Sequence, residues 1–68
     1  MWLIKENEVY EIVGFNIREF EDDSAELWAT KTTGKTVKIS VGTIEEIKRQ
    51  KVNMEYSLVK GDKTYDIV

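Results

Sequence analysis

Ala29-Thr-Lys-Thr-Thr-Gly-Lys-Thr36 has the letters of a permissive phosphate-binding loop, with Ala29 at the first glycine position and Gly34-Lys35-Thr36 at its end. Such a loop works only where a helix starts at the Gly-Lys-Thr, so that its N-terminal amides and dipole meet the phosphates. The residues that follow, Val37-Lys-Ile-Ser-Val41, alternate apolar and polar in the manner of a strand. A chain of 68 residues is also too short for the parallel sheet and flanking helices that carry a phosphate loop. The stretch reads as a hairpin turn, and no cofactor is expected.

The other candidate chemistries fail on residue type or spacing. Glu19, Glu21, Asp22, Asp23 and Glu26 form an acidic stretch, but they lack the alternating oxygen ligands, turn glycine and bidentate glutamate of a calcium loop. There is no histidine and no cysteine, so the two commonest zinc ligands and the usual general base at neutral pH are missing together. No catalytic or metal-ligating residue is assigned, and the chain reads as a non-enzyme. Lys31, Lys35, Lys38, Lys48, Arg49 and Lys51 could make a basic face for nucleic acid. A net charge of −3 opposes that, and nucleic acid is not the expected partner.

The aromatic residues are more informative. Tyr10, Phe15, Phe20, Tyr56 and Tyr65 read as core or core-edge residues. Trp28 shares parity with Glu26 and Thr30, which puts it on the wet face of its strand, and tryptophan is enriched at binding hot spots. Trp28, Lys38 and Trp2 are therefore the candidate partner-binding residues.

The elements that position them are mostly strands in one domain. Trp2-Leu-Ile4 is a short first strand, and Val9 to Phe20 a longer one. Its apolar parity slips by a residue at Gly14, the mark of a bulge or bend. Ala25–Lys31 and Lys35–Val41 form a hairpin. A three-residue Thr32-Thr33-Gly34 loop suits it, because Gly34 then takes the left-handed position. That register pairs Ala29 with Val37, Leu27 with Ile39 and Ala25 with Val41 toward the core, and sets Trp28 across from Lys38. Thr43-Ile-Glu-Glu46 is a capping box that opens a short helix over about residues 43–50. Val52 to Leu58 alternates again as a strand, Lys60-Gly-Asp-Lys63 reads as a tight turn, and Thr64 to Ile67 as a last strand. The expected fold is α+β and strand-dominated: a curled antiparallel sheet of five or six strands, or an SH3-like partial barrel, with one short helix.

Lys31-Thr-Thr-Gly-Lys-Thr-Val-Lys-Ile-Ser-Val41 followed by Thr43-Ile-Glu-Glu-Ile-Lys48 resembles the first hairpin and helix start of ubiquitin, which implies a β-grasp arrangement as the alternative fold. A strand, a brief Ile-Glu-Glu-Ile-Lys helix and a terminal hairpin also resemble, in style, small uncharacterised proteins of phages and prophages. That resemblance implies a modulator of a host protein. Met1-Trp-Leu-Ile4 runs at once into Lys5-Glu6, so neither a signal peptide nor a membrane span is expected, and the location expected is cytoplasmic. The expected function is a protein-interaction module acting as a monomer or small homo-oligomer. The alternatives are a nucleic-acid-binding small barrel and a structural subunit that self-associates through its sheet edges.

Overall fold

The computed structural model describes the backbone of residues 2–60 and 64–67 and the side chains of residues 2–59. The elements are β1 (Trp2–Lys5), β2 (Glu8–Glu19), β3 (Ser24–Lys31), β4 (Thr36–Thr43), α1 (Ile44–Lys60) and β5 (Thr64–Ile67). β1 to β4 form an antiparallel meander and β5 joins the far side of β1 in parallel, giving the order β4-β3-β2-β1-β5. The class is α+β and strand-dominated, as expected. The antiparallel part has four strands rather than five or six.

Local chemistry explains the meander. Glu6 and Asn7 join β1 to β2 with φ of 52° and 66°, the paired positive values of a two-residue hairpin turn. β2 pairs with β1 through residues 8–11 and with β3 through residues 12–19. At the changeover Val13 is an extra residue between the Ile12–Lys31 and Gly14–Thr30 pairs. Tyr10 and Ile12 face the core before it and Phe15 and Ile17 after it, so the slip in parity is a bulge that bends the strand. The sheet curls far enough for the Lys5 ammonium, at the end of β1, to donate to the Lys38 carbonyl on edge strand β4.

The β3–β4 hairpin turns through residues 32–34. The Lys31 N–H donates to the Lys35 carbonyl at 2.8 Å, the Gly34 N–H donates to the Lys31 carbonyl at 2.9 Å, and Gly34 has φ 89°. Ala29 pairs with Val37 and Trp28 with Lys38, as the loop chemistry requires. Further along, the expected register fails. Leu27 stands opposite Ser40 and Ala25 opposite Gly42, because Ile39 is an extra residue in β4. Val41 then points outward and is 62% exposed, where the alternation placed it in the core. The bulge turns Ser40 and Gly42 toward α1 instead. Ser40 Oγ donates to Gln50 Oε1 at 2.6 Å, and a Cβ on Gly42 would lie 3.6 Å from Ile47 Cδ1. A small residue there lets the helix close on the strand.

The helix starts where the capping box put it. Thr43 Oγ1 accepts from the Glu46 N–H at 3.2 Å and donates to Glu46 Oε1 at 2.8 Å. It runs for 17 residues, so the strand expected over Val52–Leu58 is the second half of α1. Met54 and Leu58 fit a period of two and a helical spacing equally well. Ile44, Ile47, Met54 and Leu58 together form a helical stripe on the core, while Val52 and Tyr56 are exposed. No glycine or proline interrupts residues 44–60, and Lys51 bridges to Glu55 one turn on at 3.1 Å.

A helix of this length spans about 25 Å, and four inter-strand steps of about 4.8 Å separate β4 from β5. Crossing the sheet in this way returns the chain beside β1 in parallel rather than as a terminal hairpin. The expected Lys60–Lys63 turn falls largely on residues 61–63, outside those described. The core gathers Leu3, Ile12, Phe15, Ala25, Leu27, Ala29 and Ile39 from the strands against Ile47 and Met54 from α1. Phe20 and Tyr56, expected at the core or its edge, are exposed. The Tyr65 side chain is outside the described residues.

Candidate protein-binding face

Three strands arrange the side of the sheet that faces away from α1. Register places its residues in three rows across β2, β3 and β4: Gly14, Thr30, Thr36; then Asn16, Trp28, Lys38; then Arg18, Glu26, Val41. Trp28 is the centre. Its opposition to Lys38 follows from the hairpin loop, upstream of the β4 bulge.

Trp28 is half-buried by its neighbours in the plane of the sheet. Its indole N–H donates to Glu26 Oε1 at 3.1 Å, and the Lys38 ammonium lies 3.4 Å from Glu26 Oε2. Both oxygens of Glu26 are thereby engaged. The Lys38 side chain is 47% exposed, so solvent screens the ion pair and its contribution to stability is at most a fraction of a kcal/mol. Its effect is orientational: one carboxylate fixes the indole edge and the ammonium together. Beside Trp28 is a shallow cleft of about 310 Å³ lined by Asn16, Ile17, Arg18, Trp28 and Thr36. The Arg18 guanidinium lies 5.3 Å from the centre of the Phe20 ring.

Trp2 belongs to an adjoining patch on the same side. It stands opposite Glu11 and is 45% exposed, while its neighbour Leu3 is buried on the core side. Ile4 pairs with Val9, and Val9 and Val13 are exposed. The two tryptophans thus share a side of the sheet but sit on different halves of β2. Sequence reasoning named Trp2, Trp28 and Lys38 and missed Val9, Val13 and Val41. The parity slip at Gly14 assigns Val9 and Val13 to the face opposite Tyr10 and Ile12, a signal that was open to reading. Nothing in the alternation of β4 marks the bulge that turns Val41 out.

The remaining candidates fall elsewhere. Gly34-Lys35-Thr36 leads into β4 and not into a helix, so the helix N-terminus a phosphate loop needs is not at this position. Lys31 lies 4.6 Å from the centre of the Tyr10 ring on the core side of the sheet, Lys38 is on the other side and Lys51 is paired on α1, so these cations do not make one face. The acidic turn is built by Asp22. Its Oδ1 accepts from both the hydroxyl and the N–H of Ser24, which holds its carboxyl below the usual range. Hydrogen bonding to Glu8 raises the Tyr10 phenol above its usual value. Among the described residues no group of three or more acidic side chains is placed to hold a metal ion. A second cleft at the start of α1 is lined by Asp23, Thr43, Ile44, Glu45 and Lys48. No helix among the described residues is long and apolar enough to cross a membrane. In comparison with known proteins, no family model, no curated sequence and no solved structure matches this chain.

Proposed function

We propose that the chain is a non-enzymatic protein-interaction module that engages its partner through the side of the sheet facing away from α1. Trp28 and Lys38 form the centre of that face, and Trp2 its apolar margin. One observation carries this reading: Trp2, Val9, Val13 and Val41 are exposed on the same side of the sheet as a tryptophan whose indole N–H is already held by Glu26. Exposed apolar groups gathered beside an oriented indole are the material of interface hot spots. In keeping with its resemblance to small phage proteins, the module is read as a phage-type modulator of a host protein. It acts in the cytoplasm as a monomer or small homo-oligomer.

Face recognition is favoured over edge pairing. The β4 edge carries the Ile39 bulge, and the Lys5 ammonium occupies the Lys38 carbonyl, two devices that discourage strand addition. That same contact favours an SH3-like partial barrel over a β-grasp as the finer description of the curl. A nucleic-acid reading has Lys38 beside Trp28 in its favour. Against it, Glu26 sets a carboxylate in the middle of the face.

The test is affinity capture from a host lysate with three baits: the wild type, Trp28→Ala and the helix-surface variant Val52→Asp. A protein retained by the wild type and by Val52→Asp but lost with Trp28→Ala supports the reading. Retention that survives Trp28→Ala and is lost with Val52→Asp would move the binding surface to α1.

A further inference from the structure

Resting on the reading of this face as a protein-binding surface, we propose that the cleft beside Trp28 takes an acidic segment of the partner, one carboxylate seated on Arg18 and a neighbouring apolar side chain against the indole. The charges of the face point to that chemistry. Glu26 is the single acid in the three rows, and its two oxygens are taken by Trp28 and Lys38. Its charge is matched within the face. Arg18 is exposed, and neither ion pair among the described residues, Lys38–Glu26 or Lys51–Glu55, involves it. Its described contact is the Phe20 ring, which leaves the guanidinium fork open to a carboxylate. Across the three rows Arg18 and Lys38 outnumber Glu26, a complementarity that selects an acidic ligand and speeds its encounter.

The shape agrees with a peptide. A cleft of about 310 Å³ is at the low end of small-ligand sites, with room for one large side chain. Asn16 and Thr36 line the same cleft and offer hydrogen bonds to a peptide backbone beside that side chain.

The experiment is a titration of isotope-labelled protein followed by amide, indole and guanidinium resonances. The probes are two sets of short capped peptides, each with one central leucine, phenylalanine or tryptophan. One set is flanked by Asp and Glu, the other by Lys and Arg, and a short oligothymidine is the third probe. The acidic set is expected to shift the Trp28 indole and Arg18 signals, with affinity falling several-fold between about 0.05 and 0.3 M salt. Arg18→Gln should weaken it about tenfold and Arg18→Glu further, whereas Val52→Asp should leave it unchanged. Preference for the basic set at the same signals would overturn the acidic partner and leave the protein-binding face standing. Tighter binding of oligothymidine at those signals would overturn both in favour of nucleic acid. Shifts confined to residues outside the face, or no shift with either peptide set at millimolar concentration, would also overturn the proposal.

Discussion

Alanine at Ile39 and alanine at Val41 should have very different costs, although the two residues sit two apart on one strand. In a regular strand both side chains share a face, and both would contribute to the core. The bulge separates them, leaving Ile39 5% exposed against the core cluster and Val41 62% exposed on the outer face. Ile39→Ala opens a cavity beside Leu27 and Ile47 and should cost about 2–4 kcal/mol. Val41→Ala removes two methyl groups that are already in water and should stay within about 0.5 kcal/mol. A regular strand would instead assign Val41 a burial term of about 1.5–3 kcal/mol. In a domain of this size 1 kcal/mol moves the melting temperature by roughly 4–8 °C, so the two variants should separate by at least about 6 °C. Urea unfolding followed by circular dichroism gives the two free energies directly. Equal losses at both positions would refute the bulge, and with it the outward placement of Val41.

Gly34→Val should destabilise by over about 1 kcal/mol, because Gly34 has φ 89°, whereas Gly14→Val should be neutral or stabilise by about 0.5 kcal/mol. Gly14 has no positive φ and its added Cβ meets nothing within 4 Å, so a penalty as large as that of Gly34→Val in urea unfolding would contradict the turn geometry. Thr43→Ala should cost about 1 kcal/mol through loss of the cap to Glu46, read as a lower urea midpoint and faster amide exchange in the first turn of α1. Asp22 is held below its usual carboxylate range by Ser24, so the stability it contributes is present above the unfolded value near 3.9 and lost as pH falls through the folded value. Asp22→Asn should flatten the acid limb of the urea midpoint plotted against pH, and an unchanged limb would remove Asp22 as its source.

What was legible in the chain was what local chemistry decides. Gly34 specifies its turn, Thr43 and Glu46 their cap, and the parity slip around Gly14 its bend, and each is at the expected place. The Trp28–Lys38 opposition was legible for the same reason, since it depends only on the loop that joins the two strands between them. The errors arise where two patterns coincide or where pairing is tertiary. Met54 and Leu58 satisfy both periods, so the continuation of α1 to Lys60 is decided by which residues reach the core, not by their order. The Ile39 bulge leaves the alternation of β4 intact in the letters, and its reason lies in α1, whose approach favours Ser40 and Gly42 beneath it. The parallel seat of β5 depends on the length of that helix. Of the candidate face, the tryptophans and, through the parity slip at Gly14, Val9 and Val13 could be read from the chain, whereas Val41 could not.

The central claim is that Trp28 is placed for a partner and not for the fold, and Trp28→Ala tests it when stability and binding are measured on the same variant. Its indole is half-buried by in-plane neighbours, so urea unfolding should show a loss of about 1 kcal/mol or less. Titration calorimetry against the captured partner should show affinity weakened by at least about 2 kcal/mol, the scale of an interface hot spot. A variant that unfolds by several kcal/mol, or one that folds normally and binds as tightly as the wild type, would contradict the account.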